Sequence, residues 1–297
     1  MNLRYLAVIL IFLVILSGCI HSQSDGDIIK WLEYKDGMEM VNETGKPAIL
    51  YFYDPFMQLC KETKKHIFSN EDIIKMSKNF VMIGINVREE KNKNHLYNYR
   101  LQYTLYSYNN QYYLYLPTVI FLNNESEVLH RLIALDVYNP DDSKGSVESF
   151  LDSMSRALDG EIWGYNISFT TLDGKTKSIE EYHGKVVLMD LMATWCTPCI
   201  RQMAELKKML DYYGKDEIVV ISIDVDRETD TPDKIISTFG NYVNEWTFGI
   251  DKYGFSERYW VMAIPTLSIF DKYGRLQYLK PGLVEAEELK NIIDEIR

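Results

Sequence analysis

One stretch of this sequence constrains the fold more than any other: an apolar segment of strand length that leads directly into two closely spaced cysteines. Residues 185–193 are apolar apart from Lys185 at the start and Asp190 inside, which is the pattern of a central strand buried on both faces. The next six residues read Thr-Trp-Cys-Thr-Pro-Cys, ending at Cys199, and apolar residues then recur with a helical period up to Gly214. The sequence therefore predicts a strand, a turn with a Cys-x-x-Cys pair, and a helix that begins at that pair.

Strands and helices alternate in the rest of this half of the chain. Strands are predicted at 218–223, near 246–250 and at 267–270, the last of them preceded by Ile264-Pro265-Thr266. Thr231 and Pro232 predict the start of a helix that runs to about Val243, and residues 285–297 predict a final helix. This alternation predicts an α/β fold with a central mixed sheet.

A fainter version of the same order lies upstream. It has strands at 46–53, 80–87 and 118–122 and helices at 56–68 and 147–158. Leu116-Pro117-Thr118 stands where Ile264-Pro265-Thr266 stands in the second half. Similar segments in similar order predict two tandem copies of one domain, which we place at 28–160 and 161–297.

The first copy carries an insertion rich in Asn and Tyr between Lys91 and Leu116. An aromatic, polar loop of this kind has two interpretations: a contact surface for a partner, or a cover packed over the sheet. We favour the cover.

The chemistry of the pair follows from its position. A helix N-terminus directed at Cys196 lowers the pKa of that thiol, and the thiolate is the nucleophile in disulfide exchange. Cys196 is therefore predicted to attack a substrate disulfide, and Cys199, deeper in the helix, to displace the product and leave the Cys196–Cys199 disulfide. Pro198 stiffens the ring that this disulfide closes.

With these motifs, the second half resembles the thioredoxin superfamily, and within it the exported, membrane-anchored TlpA/ResA-like branch. The resemblance covers residues 161–297. The matching active-site residues are Trp195, Cys196, Thr197, Pro198, Cys199, Ile264 and Pro265.

The resemblance implies a cis peptide bond at Pro265, beside the disulfide, which leaves the backbone of its neighbour free to pair with substrate as an added strand. It also implies that Asp190 is a buried acid that takes the proton from Cys199. A lone acid in an apolar strand has a raised pKa if it is buried, although an exposed strand position is the alternative. The chain departs from thioredoxins at 218–223, where no lysine stands near this acid.

The first copy has lost the pair. Aligning its motif places Met57 at the nucleophile position and Cys60 at the resolving position, with Tyr51 where the acid would be. We predict a thioredoxin-like fold without its activity. Cys60 is then either a small buried hydrophobe or a partner in a mixed disulfide, and Pro117 could still hold a peptide-binding edge in a docking or spacer module.

The N-terminus predicts export. A short positive region precedes an apolar run at 5–16, and Leu16-Ser17-Gly18-Cys19 resembles a lipobox, in which Cys19 becomes the lipidated first residue. Residues 1–19 are thus interpreted as a signal peptide with lipobox and 20–27 as a polar tether. An uncleaved anchor helix or ordinary secretion are the alternatives. A lipidated, an anchored and a secreted chain all lie outside the cytoplasm, and a lipidated or anchored chain lies at the outer face of the cell membrane.

Charge and cysteine content exclude several classes. The 32 basic and 43 acidic residues give a net charge of −11, which disfavours a nucleic-acid binder. Four cysteines are too few for a disulfide scaffold. A zinc site would need a second Cys/His pair at ligand spacing, a copper carrier a wider cysteine spacing with a histidine, and a peroxidase another motif context. We therefore expect neither metal nor cofactor.

The sequence thus predicts a membrane-tethered thiol-disulfide oxidoreductase that reduces disulfides in exported proteins, apocytochrome c being the family-typical substrate. A membrane or soluble thiol must supply its electrons. Two alternatives stay open at this point. One is an oxidase or isomerase of the same fold, and the other is a surface adaptor or chaperone whose domains both serve as peptide docks.

Overall fold

The computed structural model describes residues 28–109, 111–259 and 261–297. The predicted signal segment, Cys19 and the tether lie outside these residues. Within the part of the chain that is described, no helix has both the length and the apolar character needed to cross a bilayer.

The first half folds around a four-stranded sheet. Its helices are α1 (Tyr34–Thr44), α2 (Gln58–His66), α3 (Glu71–Ser77), α4 (Lys93–Asn98) and α5 (Ser143–Leu158). Its strands are β1 (Ala48–Tyr53), β2 (Val81–Asn86), β3 (Leu105–Tyr108), β4 (Gln111–Leu114), β5 (Thr118–Leu122) and β6 (Val128–Ile133). The sheet order is β2-β1-β5-β6, and β3 and β4 form a separate hairpin.

The second half folds around a seven-stranded sheet. Its strands are β7 (Ser168–Thr171), β8 (Thr176–Ser178), β9 (Val186–Met192), β10 (Ile218–Asp224), β11 (Thr247–Ile250), β12 (Thr266–Phe270) and β13 (Leu276–Pro281). Its helices are α6 (Thr197–Tyr213), α7 (Pro232–Phe239), α8 (Phe255–Arg258) and α9 (Ala286–Ile296). The sheet order is β13-β12-β9-β10-β11-β7-β8.

The two sheets share one topology. In the first sheet the central strand β1 pairs in parallel with β2 and antiparallel with β5, the strand that follows a proline. In the second sheet the central strand β9 pairs in parallel with β10 and antiparallel with β12, which also follows a proline. Both prolines, Pro117 and Pro265, follow cis peptide bonds. The predicted α/β class with two tandem thioredoxin-like domains is confirmed, as is the cis bond expected at Pro265.

The central strand β9 is buried on both faces, as its apolar sequence predicts. Val187, Met189 and Leu191 face one core cluster, and the alternate residues Leu188 and Met192 face the cores that hold α6. Asp190 belongs to this second set, so its side chain lies on the sheet face that α6 covers.

Two helix boundaries differ from the sequence prediction by four residues. Helix α7 ends at Phe239 instead of continuing to Val243, because Gly240 adopts a positive φ of 39° and residues 240–244 tighten into a 3₁₀ turn. Helix α5 begins at Ser143, four residues before the predicted start, where Asp142 caps it by accepting the Gly145 N–H at 2.9 Å.

The Tyr-rich insertion serves both domains. Leu101 is buried in the first-domain core, with Tyr99 packed against the same cluster, so this part is the cover that the sequence favoured. The β3–β4 hairpin instead packs against β13 of the second domain, where Thr104 forms a parallel bridge to Leu279. The insertion is therefore also an interdomain contact.

Candidate active site

Cys196 and Cys199 form a disulfide at the start of α6, with their Cα atoms 5.3 Å apart. Cys196 is the N-cap residue, and the backbone N–H of Cys199 donates to its sulfur at 3.2 Å. The first N–H groups of a helix form the positive end of its dipole, and here the Cys199 N–H points at the Cys196 sulfur. A thiolate formed at that sulfur is stabilised by this N–H and by the helix dipole.

Both cysteines are buried, whereas the residues next to them in the turn are exposed. Cys196 is 3% and Cys199 0% exposed, whereas Trp195 is 64% exposed and Thr197 and Pro198 also face solvent. The turn that carries the pair thus stands at the surface while the disulfide lies just beneath it. A substrate would reach Cys196 over the exposed residues of this turn.

Pro265 lies at the opposite side of the same site. Its neighbour Ile264 packs against the cluster that contains Cys196 and Cys199, while Ala263 and Met262 just before it are exposed, Met262 at 69%. The segment before β12 therefore presents an accessible edge beside the disulfide, in the place expected for strand-like pairing with a peptide.

Asp190 is fully buried, and neither carboxylate oxygen has a hydrogen-bond partner among the described residues. Burial raises the pKa of this carboxyl to about 8. The alternative of an exposed strand position is therefore wrong. An acid with a pKa near that of a thiol, on the sheet face that α6 covers, has the properties required to exchange a proton with a cysteine in α6.

Two acids that the sequence analysis did not identify hold the active-site turn. Asp230 accepts the Thr194 N–H at 2.7 Å and its hydroxyl at 2.6 Å, and Asp226 accepts the Trp195 indole N–H at 2.8 Å. Hydrogen bonds from Thr229 and Trp195 keep the pKa of the Asp226 carboxyl below its usual range. Burial raises the pKa of the Asp230 carboxyl, but hydrogen bonds from Lys234 and Thr194 outweigh it and keep that pKa below the usual range as well. The signal was present: acids follow β10 where it ends beside β9, and parallel strands end at one edge of a sheet.

The corresponding place in the first domain has no redox pair. Met57 is the N-cap residue of α2, and Cys60 is free and 1% exposed. Burial raises the pKa of the Cys60 thiol to about 11. These observations favour the small buried hydrophobe over a mixed-disulfide partner.

Register supports the alignment of the two sites. Tyr51 pairs with Val119, two residues after Pro117, as Asp190 pairs with Leu267, two residues after Pro265. Tyr51 thus occupies the position of the acid, and its hydroxyl donates to the Cys60 carbonyl at 3.0 Å.

The first-domain edge beside Pro117 is covered. Tyr115, at the position that Ala263 has in the second domain, donates its N–H to the Thr104 carbonyl at 3.3 Å and its hydroxyl to the Tyr259 carbonyl. Tyr115 and Pro117 are both buried. This contact disfavours a peptide-binding edge at Pro117, because the chain itself contacts Tyr115, just before the Leu116–Pro117 bond.

Comparison with known proteins gives a separate match for each half. The model described as "Thioredoxin-like domain" matches residues 34–134, and that of the "AhpC/TSA family" matches residues 165–279. The Thioredoxin-like protein YneN of Bacillus subtilis is 29% identical over 129 residues, which cover 43% of this chain and 75% of that protein. The thiol-disulfide oxidoreductase ResA of Bacillus anthracis is 29% identical over 136 residues, 44% of this chain and 75% of that protein.

Among solved structures, a thioredoxin-like protein from Aeropyrum pernix matches with 24% identity and a TM-score of 0.41, covering 53% of this chain and 100% of that chain. The exposed lipoprotein thioredoxin of Streptococcus pneumoniae matches with 23% identity and a TM-score of 0.36, covering 44% and 99%.

Proposed function

This chain is a thioredoxin-superfamily protein of the TlpA/ResA-like thiol-disulfide oxidoreductases, and we propose that it reduces disulfides of exported proteins through Cys196 and Cys199. The observation that carries the proposal is the disulfide at the N-terminus of α6, whose first-turn N–H group already contacts the Cys196 sulfur.

The reaction balances with two electrons and two protons. The Cys196 thiolate attacks one sulfur of a substrate disulfide, which releases a substrate thiolate and forms a mixed disulfide. The Cys199 thiolate then attacks the Cys196 sulfur, which releases the second substrate thiolate and forms the Cys196–Cys199 disulfide. An external thiol donor must return two electrons to this disulfide before the next turnover.

Asp190 has the proton-acceptor role in the second step. Cys199 is fully buried, so its thiol cannot give its proton directly to water, whereas the Asp190 carboxyl shares the sheet face covered by α6. With a pKa of about 8, Asp190 is ionised in part of the molecules at neutral pH and accepts a thiol proton at little free-energy cost. Pro265 and Ile264 hold the substrate segment next to Cys196, and Trp195, Thr197 and Pro198 shape the turn around it.

A location outside the cytoplasm is part of this proposal, and the N-terminal sequence supports it: the apolar run, the lipobox-like segment and a polar tether. Exported proteins with disulfides are then the substrates, apocytochrome c among them. The first domain acts as a spacer and cover in this proposal, since its own edge at Pro117 is occupied from within the chain. This occupation also removes the support for an adaptor with two peptide docks.

Trapping tests the mechanism. In the full chain, Cys199→Ser is expected to accumulate mixed disulfides through Cys196 with exported proteins, and Cys196→Ser to lose insulin reduction. Cys60→Ala is the matched control, because this cysteine is buried in the other domain, and it should keep full activity. Full activity of Cys196→Ser, or an absence of trapped partners with Cys199→Ser, contradicts the proposal.

The redox potential tests the direction. A reductase should have a potential close to that of thioredoxin, about −270 mV, whereas a strong oxidant lies near about −120 mV. Equilibration of the Cys196–Cys199 pair with glutathione or dithiothreitol buffers measures it. A value near the oxidant end reverses the assigned direction and favours the oxidase alternative.

A further inference from the structure

A cavity of about 600 Å³ lies between the two domains, on residues that take no part in the disulfide chemistry. Five cationic and two acidic side chains line it, in a chain whose net charge is −11. The cationic residues are Arg100, Arg131, Lys272, Arg275 and Arg297, and the acidic residues are Asp271 and Glu295. We call this cavity the arginine cleft.

The two acids of the arginine cleft are already engaged. Asp271 accepts hydrogen bonds from the Arg275 Nε at 2.7 Å and from the Gln277 amide at 3.0 Å, and its other oxygen accepts two backbone N–H groups of its own turn. Glu295 pairs with the Arg100 Nη1 at 2.8 Å.

Arg297 is also paired, with Glu217 at 2.8 Å and Asp294 at 3.4 Å, which do not line the cleft. The cationic excess of the cleft therefore lies at Arg131 and Lys272, for which the described structure shows no ion pair.

Arg131 is the buried cation of this excess. It is 4% exposed, and one amino group donates to the Tyr99 carbonyl, but its Nε and Nη1 have no hydrogen-bond partner within the described ranges. Burial, together with the nearby charges of Arg100 and Arg275, lowers the pKa of Arg131 to about 10. A buried guanidinium without an anionic partner is unfavourable, and an anion in the cavity would compensate it.

Arg100 adds a matching set of donors. Its Nε and Nη2 are buried and lack hydrogen-bond partners among the residues described, and these two groups lie on one edge of the planar guanidinium. Such an edge fits two oxygens of one oxyanion once the partly exposed Arg100 side chain turns it toward the cavity. The cationic excess favours a group of charge near −2, which a phosphate monoester has at neutral pH and a carboxylate does not.

We propose that the arginine cleft binds a phosphate group, of a soluble compound or of a lipid headgroup, through Arg100 and Arg131. Because the cleft is lined by both domains, the bound group holds them together. This function is separate from the thiol chemistry, so it stands or fails independently of it.

Calorimetry on the oxidised full chain in detergent micelles tests the proposal, with inorganic phosphate as the probe and sodium chloride at equal ionic strength as the blank. Saturable binding is expected, at least about tenfold weaker in Arg100→Gln and in Arg131→Gln. Arg88→Gln is the matched control, since Arg88 pairs with Asp54 on the surface and does not line the cleft. Arg100→Gln decides the result if Arg131→Gln does not fold, because Arg100 is partly exposed.

Two further arms identify the source of the phosphate. Competition by glycerol 3-phosphate alone indicates a soluble compound, and competition by micelles doped with phosphatidic acid, whose headgroup is a phosphate monoester, indicates a lipid headgroup; either result supports the proposal. Phosphate binding that is absent, or equal in Arg100→Gln and the wild type, overturns it, and so does acetate binding as tight as that of phosphate.

Discussion

Asp190 and Asp224 are two acids buried on the same face of neighbouring strands, and they differ in their hydrogen bonds. Burial raises the pKa of each carboxyl to about 8. Asp224 accepts the Asp226 N–H at 2.8 Å, whereas both oxygens of Asp190 lack a partner in the described structure. Register places Asp190 opposite Ser222, and Asp224 one pleat further toward the strand ends.

The raised pKa values determine how stability depends on pH. An unfolded aspartate has a pKa of about 3.9, so between about pH 4 and about pH 8 the folded chain binds more protons than the unfolded chain. The free energy of unfolding contributed by each acid is therefore highest below about pH 4 and is lost as pH rises to about 8.

Asp190→Asn is expected to slow the resolving attack of Cys199 by about 10- to 100-fold at pH 7, because no carboxylate takes the thiol proton. The loss should shrink at high pH, where the Cys199 thiol ionises without the carboxylate. Single-turnover reduction of insulin across pH measures the rate. Urea unfolding at pH 5 and pH 8 should also show a smaller stability difference than in the wild type.

Asp224→Asn separates the two effects. It removes an acid with the same raised pKa, so it should reduce the stability difference in the same way while the resolving rate stays close to the wild type. An equal kinetic loss in both variants would show that the acid at Asp190 has no special role.

The sequence predicts some of the residues of the two sites and not others. Asp190 was identifiable because a single acid interrupts an apolar strand, and Tyr51 and Cys60 because the motif aligns. Asp226 and Asp230 were missed although they follow β10, because that position does not identify their hydrogen-bond donors in the active-site turn, which lie 31 and 36 residues earlier in the chain.

At the scale of elements, the active-site turn depends on the strand next to it. The turn leaves the end of β9, and the acids that hold it leave the end of β10 and precede α7. Asp230 also pairs with Lys234 in the first turns of α7, at 2.5 Å. The position of Trp195 relative to Cys196 is thus set by a neighbouring connection and not by α6 alone.

Asp230→Ala is expected to free Thr194 and lower the insulin reduction rate by about tenfold, because small displacements of a reacting group cost large factors in rate. Amide hydrogen exchange at Thr194 should accelerate in the same variant. Asp233→Ala is the matched control: it removes an exposed acid from the first turn of the same helix. Similar exchange and activity in the two variants would contradict the role given to Asp230.

Most elements followed from the sequence because apolar periodicity records which face is buried. The order of strands, the helix after the cysteines and the repeat in the first half were all predictable in this way. Helix α1, the β7–β8 hairpin and the fold of the insertion were not, since short polar segments such as Thr176–Ser178 take their structure from the strand they pair with.

At the scale of the whole molecule, the two domains are joined through a buried polar contact. Asp136 of the first domain pairs with Arg258 of the second at 2.5 Å and accepts the Tyr259 hydroxyl at 2.7 Å. Tyr165, in the connection between domains, donates to the Arg131 carbonyl at 2.9 Å. The sequence alone does not predict this interface, because the order of strands and helices in each half describes a complete domain without the other.

Asp136→Ala is expected to lower the free energy of unfolding by about 1–3 kcal/mol, mainly because the buried Tyr259 hydroxyl loses its acceptor. Arg258 contributes less to this cost, since its side chain is 58% exposed and remains hydrated. Urea denaturation followed by tryptophan fluorescence measures the change. Limited proteolysis of the 159–164 connection should become faster in the same variant.

A second substitution tests whether the contact acts across the interface. Tyr259→Phe removes the hydroxyl, so combining it with Asp136→Ala leaves no unpartnered buried hydroxyl, and the double variant should be less destabilised than the sum of the single variants. Such coupling requires the two side chains to be in contact in solution. Additive effects would mean that they are not, and the domains would then be free to move apart while each keeps its own core.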